Sequence, residues 1–274
     1  MSLSIHTNFA SLVSQNSLNK SNNMLSTALE RLGTGLRVNS AADDAAGLQI
    51  ANRLTSQTRG MAVAQRNSQD AISMLQTADS ALDEASTIVF RMKDLATQAA
   101  NGTNGTSDRA ALDSEYQELT SELTRIMTET TYGSGQNLFT GKLAAPVTFQ
   151  IGSSATETLA FDASTEIAAI DPTALADITV QANATTEMGA LDTLQESIGA
   201  ARAKFGANIN RLDHTINNLA SISQNTEAAK GRIMDADFAS ETSNMTKQQL
   251  LMQTGVSALT SANSVTSLVG SLLR

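Results

Sequence analysis

From Met61 the residues Ala64, Ala71, Leu75, Ala78, Leu82, Ala85, Val89, Met92, Ala96 and Ala99 recur at steps of three and four, with Ser68 as the polar member of the stripe. Such spacing keeps one face of a helix apolar over its whole length and forms the seam of a coiled coil. At 1.5 Å per residue, a helix over this stretch is roughly 58 Å long, more than one compact core needs. Both prolines, Pro146 and Pro172, lie in the middle of the 274-residue chain, so both flanks are free to be helical over long distances.

The same period returns on either side of a short centre. "NGTNGTSD" (Asn101 to Asp108) reads as a turn in which Ser107 or Asp108 can cap the next helix. Leu112, Tyr116, Leu119, Leu123 and Ile126 then form a second seam, which should fold back against the first. A third runs through Leu191, Leu194, Ile198, Ala201, Phe205, Leu212, Leu219 and Ile222, with Asn208 and Thr215 as polar members, and completes a bundle. Between them "PVTFQIG" and "ETLAFDAS" alternate apolar and polar residues around "SSAT", the pattern of a β-hairpin, and "DITV" (Asp177 to Val180) is expected to add a third strand. The β region, about 140–182, is too small for an enzyme module.

The ends resemble each other. Leu18, Leu25 and Leu32 repeat every seven residues, as do Leu29 and Leu36; at the other end Leu251, Ala258, Val265 and Leu272 do so beside Met245, Met252 and Leu259. Met1 to Ser40 carries Lys20, Arg31 and Arg37 against Glu30, and Phe238 to Arg274 carries Lys247 and Arg274 against Glu241. Two nearly uncharged amphipathic helices of similar length are suited to pairing with each other and poorly suited to standing alone in water. The fold class expected is therefore mainly α: a long antiparallel coiled-coil or bundle with a small β-hairpin, both termini helical and paired. The domains expected are 1–40 with 238–274, and 41–237.

Composition removes several functions. With 3% aromatic residues and no Trp, a chain that is 41% hydrophobic suits long packed helices better than a sandwich. The absence of Cys excludes disulfides and thiolate metal sites, and two histidines, His6 and His214, cannot build a His-rich zinc site. A net charge of −9 argues against nucleic acid. No apolar run reaches the length of a membrane span, and the first residues lack the basic start and apolar stretch of a secretory signal, so if the protein leaves the cell it does so by another route. "GTG" lacks a following GK[ST], HExxH is absent, and nothing assembles a nucleophile with a base, so no catalytic residue, metal or cofactor is expected.

The adjacent carboxylates in "GTGLRVNSAADDAAGLQIANRL" read as architecture. Gly33 and Gly35 end the first helix, "LRVN" is an extended connector, and Ser40-Ala-Ala-Asp43 has the form of a capping box whose acid reaches back to the cap amide. Asp43 and Asp44 are then expected in the first turn of the second helix, where the dipole favours carboxylates. "GRIMDADFASE" is the counterpart, with Asp235 and Asp237 at a break between helical patterns. Asn101-Gly-Thr and Asn183-Ala-Thr match a glycan acceptor pattern too short to carry weight.

Two long segments resemble a known family. "LVSQNSLNKSNNMLSTALERLGTGLRVNSAADDAAGLQIANRLTSQTRGMAVAQRNSQDAISMLQTADSALDE" is similar to the N-terminal signature of bacterial flagellin, and "DADFASETSNMTKQQLLMQTGVSALTSANSVTSLVGSLLR" to its C-terminal signature. The resemblance covers approximately Met1 to Gly141 and Leu191 to Arg274. It implies a filament subunit in which the terminal helices, with Leu18, Leu25, Leu32, Leu251, Leu259, Val265 and Leu272, form the filament core and the rest forms a helical shell. The short centre implies little or no outer domain. It further implies a homopolymer, passage unfolded through the flagellar type III apparatus, a cytoplasmic export chaperone on Met245 to Arg274, and contact with filament cap and hook-junction proteins. A flagellin-sensing Toll-like receptor is expected to read Arg91, Leu95 and Gln98 in "RMKDLATQAAN" together with Glu115. A hook-filament junction protein shares both terminal patterns, and a signalling coiled-coil hairpin shares the Ala, Ser, Gln and Met content. The first has a weaker "RLGTGLRVNSAADDAAG" signature, and the second leaves the capped breaks and the central hairpin unexplained.

Overall fold

The computed structural model describes residues 7–133 and 135–272, with side chains to residue 264. Expectations at His6 and at the side chains of Val265 and Leu272 lie outside the described residues. The elements in chain order are α1 (Phe9–Thr34), α2 (Ala45–Ala99), α3 (Thr106–Glu129), β1 (Thr131–Tyr132), β2 (Gln136–Asn137), a π-helical turn (Leu138–Lys142), β3 (Val147–Gln150), β4 (Thr158–Phe161), α4 (Ser164–Ala168), a 3-10 turn (Pro172–Ala174), α5 (Gln181–Met234) and α6 (Phe238–Leu272). The chain divides into two compact units, Met1–Ser56 with Asn225–Arg274, and Gln57–Gln224. The division falls inside α2 and α5, whereas the boundaries read from the sequence lie near the helix breaks.

In the unit 57–224 every member of the Met61 to Ala99 stripe is buried, Ser68 included. Ser68 is satisfied within its own helix, its hydroxyl donating to Ala64 O at 2.8 Å. Helix α3 returns antiparallel to α2: Arg109 Nε donates to Ala99 O at 2.8 Å near the turn, and Arg91 pairs with Glu115 further along. Helix α5 is antiparallel to α2 as well, through Lys93 with Asp192, Gln195 with Ser86 at 2.7 Å, and Arg202 with Asp79 and Asp83 at 2.9 and 2.7 Å. Tyr116, Leu123, Leu191, Ile198, Ala201, Phe205 and Leu212 fill the space between the three helices. The bundle expected from the seams is present.

Strands β3 and β4 form the expected antiparallel hairpin, with Val147 opposite Phe161 and Phe149 opposite Leu159. These four share one face, which turns inward, while Thr148 and Ala160 are exposed. The Phe161 ring packs 5.7 Å from that of Phe205 on α5 and 6.4 Å from that of Phe149. Asn67 Nδ2 donates to Gln150 O at 3.3 Å, tying the hairpin to α2.

Asp177 to Val180 is not a strand. Asp177 accepts from the amide and hydroxyl of Thr179 and from Asn183, while Asp113 of α3 takes the amide of Ile178 at 2.8 Å. Side-chain acceptors thus satisfy the backbone that a strand would offer to a neighbour, and the buried Ile178 anchors the entry to α5. The β1–β2 pair and the π-helical turn, whose Leu138 and Phe139 are buried, have no counterpart in the sequence reading.

In the other unit α1 and α6 pair antiparallel. Arg31 Nη1 lies 3.0 Å from Glu241 Oε1 at one end, and Asn8 Nδ2 donates to Ala262 O at 2.9 Å at the other. The inward positions are Ser11, Ser14, Leu18, Ser21, Leu25, Ala28 and Leu32 on α1, and Glu241, Met245, Gln248, Met252, Gly255, Leu259 and Ala262 on α6. Both series step by three and four, so the pair is a coiled-coil seam. Large residues alternate with small or polar ones, and at Gly255 any Cβ would lie 3.0 Å from Leu18 Cδ2, so the missing side chain sets the close approach.

Candidate assembly surface

The seam on α6 accounts for Met245, Met252 and Leu259 but not for Leu251. Leu251 and Ala258 belong to a second heptad track that faces away from α1, and Leu251 is 44% exposed. Two apolar tracks run side by side along α6, and one partner helix covers one of them. Phe238, Leu250 and Val256 are exposed on the same helix, and Phe238, Thr242, Leu250 and Leu251 line a shallow groove along it. On α1, Phe9, Leu12, Val13 and Leu29 are likewise exposed, while Leu18, Leu25 and Leu32 are half-buried against α6. Solvent-exposed apolar residues in such numbers on one helix pair mark a surface that further protein covers.

The two helix breaks are built from the aspartates read as caps, with one shift in role. Gly35 ends α1 in the left-handed conformation, φ 73°, and its amide donates to Arg31 O. Leu36 then bridges to Asp235, Arg37 N donates to Met234 O at 2.6 Å, and Ala236 N to Gly35 O at 3.0 Å, so the two breaks are stitched together through their backbones. Asp43 Oδ2 accepts from the Ser40 amide at 2.8 Å, the Ser40 hydroxyl at 3.0 Å and the Asn39 amide at 3.2 Å. Those bonds, the Ser40 amide first, hold its carboxyl below the ordinary value of 3.8.

Helix α2 begins only at Ala45, so Ser40 caps no helix and Asp43 and Asp44 precede the first turn rather than lying in it. The reach-back geometry expected of Ser40 and Asp43 closes a separate turn. The helix cap is Asp44, whose Oδ1 accepts the Gly47 amide at 2.8 Å. At the second break Asp237 caps α6, accepting from Ala239 N at 3.0 Å, while Asp235 serves through its backbone. The carboxylates of Asp43, Asp44 and Asp237 accept from amides of their own chain, and among the described residues no group of three or more His, Asp or Glu side chains converges to hold a metal ion.

The four residues expected at a receptor surface separate into two environments. Arg91, Gln98 and Glu115 are exposed, and Arg91 grips Glu115 with Nε at 2.9 Å and Nη2 at 2.6 Å across the α2–α3 interface. Leu95 is 2% exposed and lies in the core beneath them. With Met74 and Ile88 it makes a second buried track along α2, on a seven-residue repeat beside the main stripe. Phe90, 56% exposed, stands beside Arg91 instead.

Long helices paired along heptad seams, with a second apolar track left open on the terminal pair, define the class: a structural coiled-coil protein. Comparison with known proteins gives the family. The model of the bacterial flagellin N-terminal helical region matches residues 5–144, and that of the C-terminal helical region matches residues 188–273. Flagellin A of Vibrio anguillarum is 33% identical over 381 aligned positions covering all of both chains, so the relative carries segments that this 274-residue chain lacks. A flagellin of Halalkalibacterium halodurans is 42% identical over 250 positions, covering 90% of this chain and 91% of its own. Among solved structures, the Bacillus cereus flagellin has a TM-score of 0.50 at 38% identity, over 60% of this chain and 94% of that one. A putative flagellar hook-associated protein from Vibrio parahaemolyticus has a TM-score of 0.58 at 16% identity, over 70% of this chain and all of that one, a likeness of fold alone. The chain belongs to the bacterial flagellin family and is a structural subunit of the flagellar filament.

Proposed function

We propose that the α1–α6 pair forms the core of the filament and that the unit 57–224, with its hairpin, forms the shell. The observation that carries this reading is the open apolar track on the terminal pair, Phe9, Leu12, Val13 and Leu29 on α1 and Phe238, Leu250, Leu251 and Val256 on α6. A second copy presenting a complementary face covers this track by a heterologous contact, and heterologous contacts that do not close build helical fibres. The absence of Cys suits passage through the flagellar type III apparatus to the cell exterior. An export chaperone that wraps α6 before assembly would cover the same apolar residues, and cap and hook-junction proteins would meet them at the filament ends. A flagellin-sensing Toll-like receptor reads the exposed group of Arg91, Gln98 and Glu115, with Leu95 supporting it from beneath. The protein works through these extended faces rather than through catalysis.

Removal of Leu251 to Arg274 tests the core assignment. The truncated chain is expected to stay monomeric under conditions where the full chain polymerises, with hydrogen exchange in 57–224 unchanged. Normal filaments from the truncated chain, seen by negative-stain electron microscopy, would overturn it.

A further inference from the structure

The sequence contains two Asn-Gly pairs, Asn101-Gly102 and Asn104-Gly105, both followed by Thr and both in the turn between α2 and α3. Asn-Gly is the pair at which asparagine converts spontaneously to aspartate, because glycine leaves its backbone nitrogen unshielded. Identical local sequence gives the two asparagines the same intrinsic reactivity, so a difference between them arises from the fold.

The fold treats them differently. The Gly105 amide donates to Asp108 Oδ2 at 2.9 Å, and the Asn104 side-chain amide donates to Gln98 O at 2.6 Å. The nitrogen that must lose its proton is thus hydrogen-bonded to a carboxylate, whose negative charge opposes deprotonation, and the carboxamide that must be attacked is anchored to another carbonyl. At the other pair Asn101 Oδ1 accepts the Thr103 amide at 3.2 Å, which folds the carboxamide back over the Gly102 peptide and withdraws electrons from Cγ. Among the described residues no group accepts the Gly102 N–H, and Asn101, Gly102 and Thr103 are all exposed.

We propose that Asn101 is a site of spontaneous deamidation and that Asn104 is protected by the capping bond to Asp108. Base removes the Gly102 amide proton, and the nitrogen attacks Asn101 Cγ. The Cγ–Nδ2 bond breaks, ammonia leaves, and a five-membered succinimide forms. Water then opens either carbonyl of the ring, giving aspartate or isoaspartate at 101. The first adds a negative charge beside the C-terminal end of α2, where the helix dipole opposes it. Arg109, whose Nε and Nη2 already donate to Ala99 O at 2.8 Å and Asn101 O at 3.1 Å, supplies the neighbouring positive charge. The second adds a methylene to the main chain of a turn that links two packed helices.

The test is to hold the purified full chain at mildly alkaline pH, withdraw samples over weeks, digest them, and measure the amide-to-acid mass change at each asparagine. Asn101 is expected to convert several-fold faster than Asn104 in the native chain, the two rates becoming similar in denaturant. Asp108→Ala, an exposed change, frees the Gly105 amide and is expected to raise conversion at Asn104 towards that at Asn101. Equal rates in the native protein, faster loss at Asn104, or no response of Asn104 to Asp108→Ala would each overturn the proposal.

Discussion

Phe205→Ala probes how the hairpin is held on the helical bundle. Phe205 has no exposed surface, and its ring packs at 5.7 Å and 45° on that of Phe161, which continues to Phe149 at 6.4 Å. Deleting a buried Phe ring costs about 3–5 kcal/mol through lost burial and the cavity left behind. The tilted ring contact contributes about 0.5–1.5 kcal/mol beyond burial. In a domain of this size each kcal/mol lowers the melting temperature by about 2–4 °C, so a fall on the order of 10 °C is expected for the unit 57–224. Phe90→Ala is the control, since that ring is 56% exposed and its loss should change stability by about 0.5 kcal/mol or less. Far-UV circular dichroism follows unfolding, and amide exchange on β3 and β4 shows whether the hairpin is released first. If Phe205→Ala melts no lower than Phe90→Ala, the hairpin does not depend on its seat against α5 and the packing argument fails.

Acid should loosen the turn that Asp43 closes at the first helix break. The Asp43 carboxyl is held below its ordinary value by the amides and hydroxyl it accepts. Its contribution is therefore complete above the unfolded value of 3.8 and is lost as pH falls through the lower folded value. An NMR titration of the Asp43 side chain, with exchange at the Asn39 and Ser40 amides, is expected to show this, and a midpoint at the ordinary value would contradict it. At the proposed receptor surface, Arg91→Ala is expected to shift the receptor dose-response curve to higher concentration with melting nearly unchanged, since the exposed Arg91–Glu115 pair contributes at most about 1 kcal/mol. Leu95→Ala removes a buried side chain and is expected to cost about 2–5 kcal/mol of stability. An unaltered curve for Arg91→Ala would remove the contact group.

What the sequence displayed clearly was period. The Met61 to Ala99 stripe is buried at every position because a helix of that length has one way to hide one continuous apolar face. Period alone left two questions open where tracks lie side by side. On α6 the Leu251 and Met252 tracks both repeat by seven, and the choice rests on the fit of Gly255 and Gln248 against Leu18 and Met24. On α2, Leu95 sits one step off the main stripe and is buried as well, a tertiary fact. Caps were legible as chemistry but not as position: Asp43 and Asp44 both offer a carboxylate, and Asp44 is the one whose acceptor reaches a third-residue amide inside α2. Four alternating residues at Asp177 to Val180 did not specify a strand once Asp113 and Asp177 supplied local acceptors. The π-helical turn has no periodic signal in five residues.

A density map of filaments assembled from this chain tests the core assignment most directly. The account predicts that α1 and α6 lie paired at the smallest radius, with Leu251, Val256 and Phe238 buried against neighbouring subunits and the β3–β4 hairpin further out. A map in which the open track of α1 and α6 faces solvent, with 57–224 making the axial contacts, would contradict it.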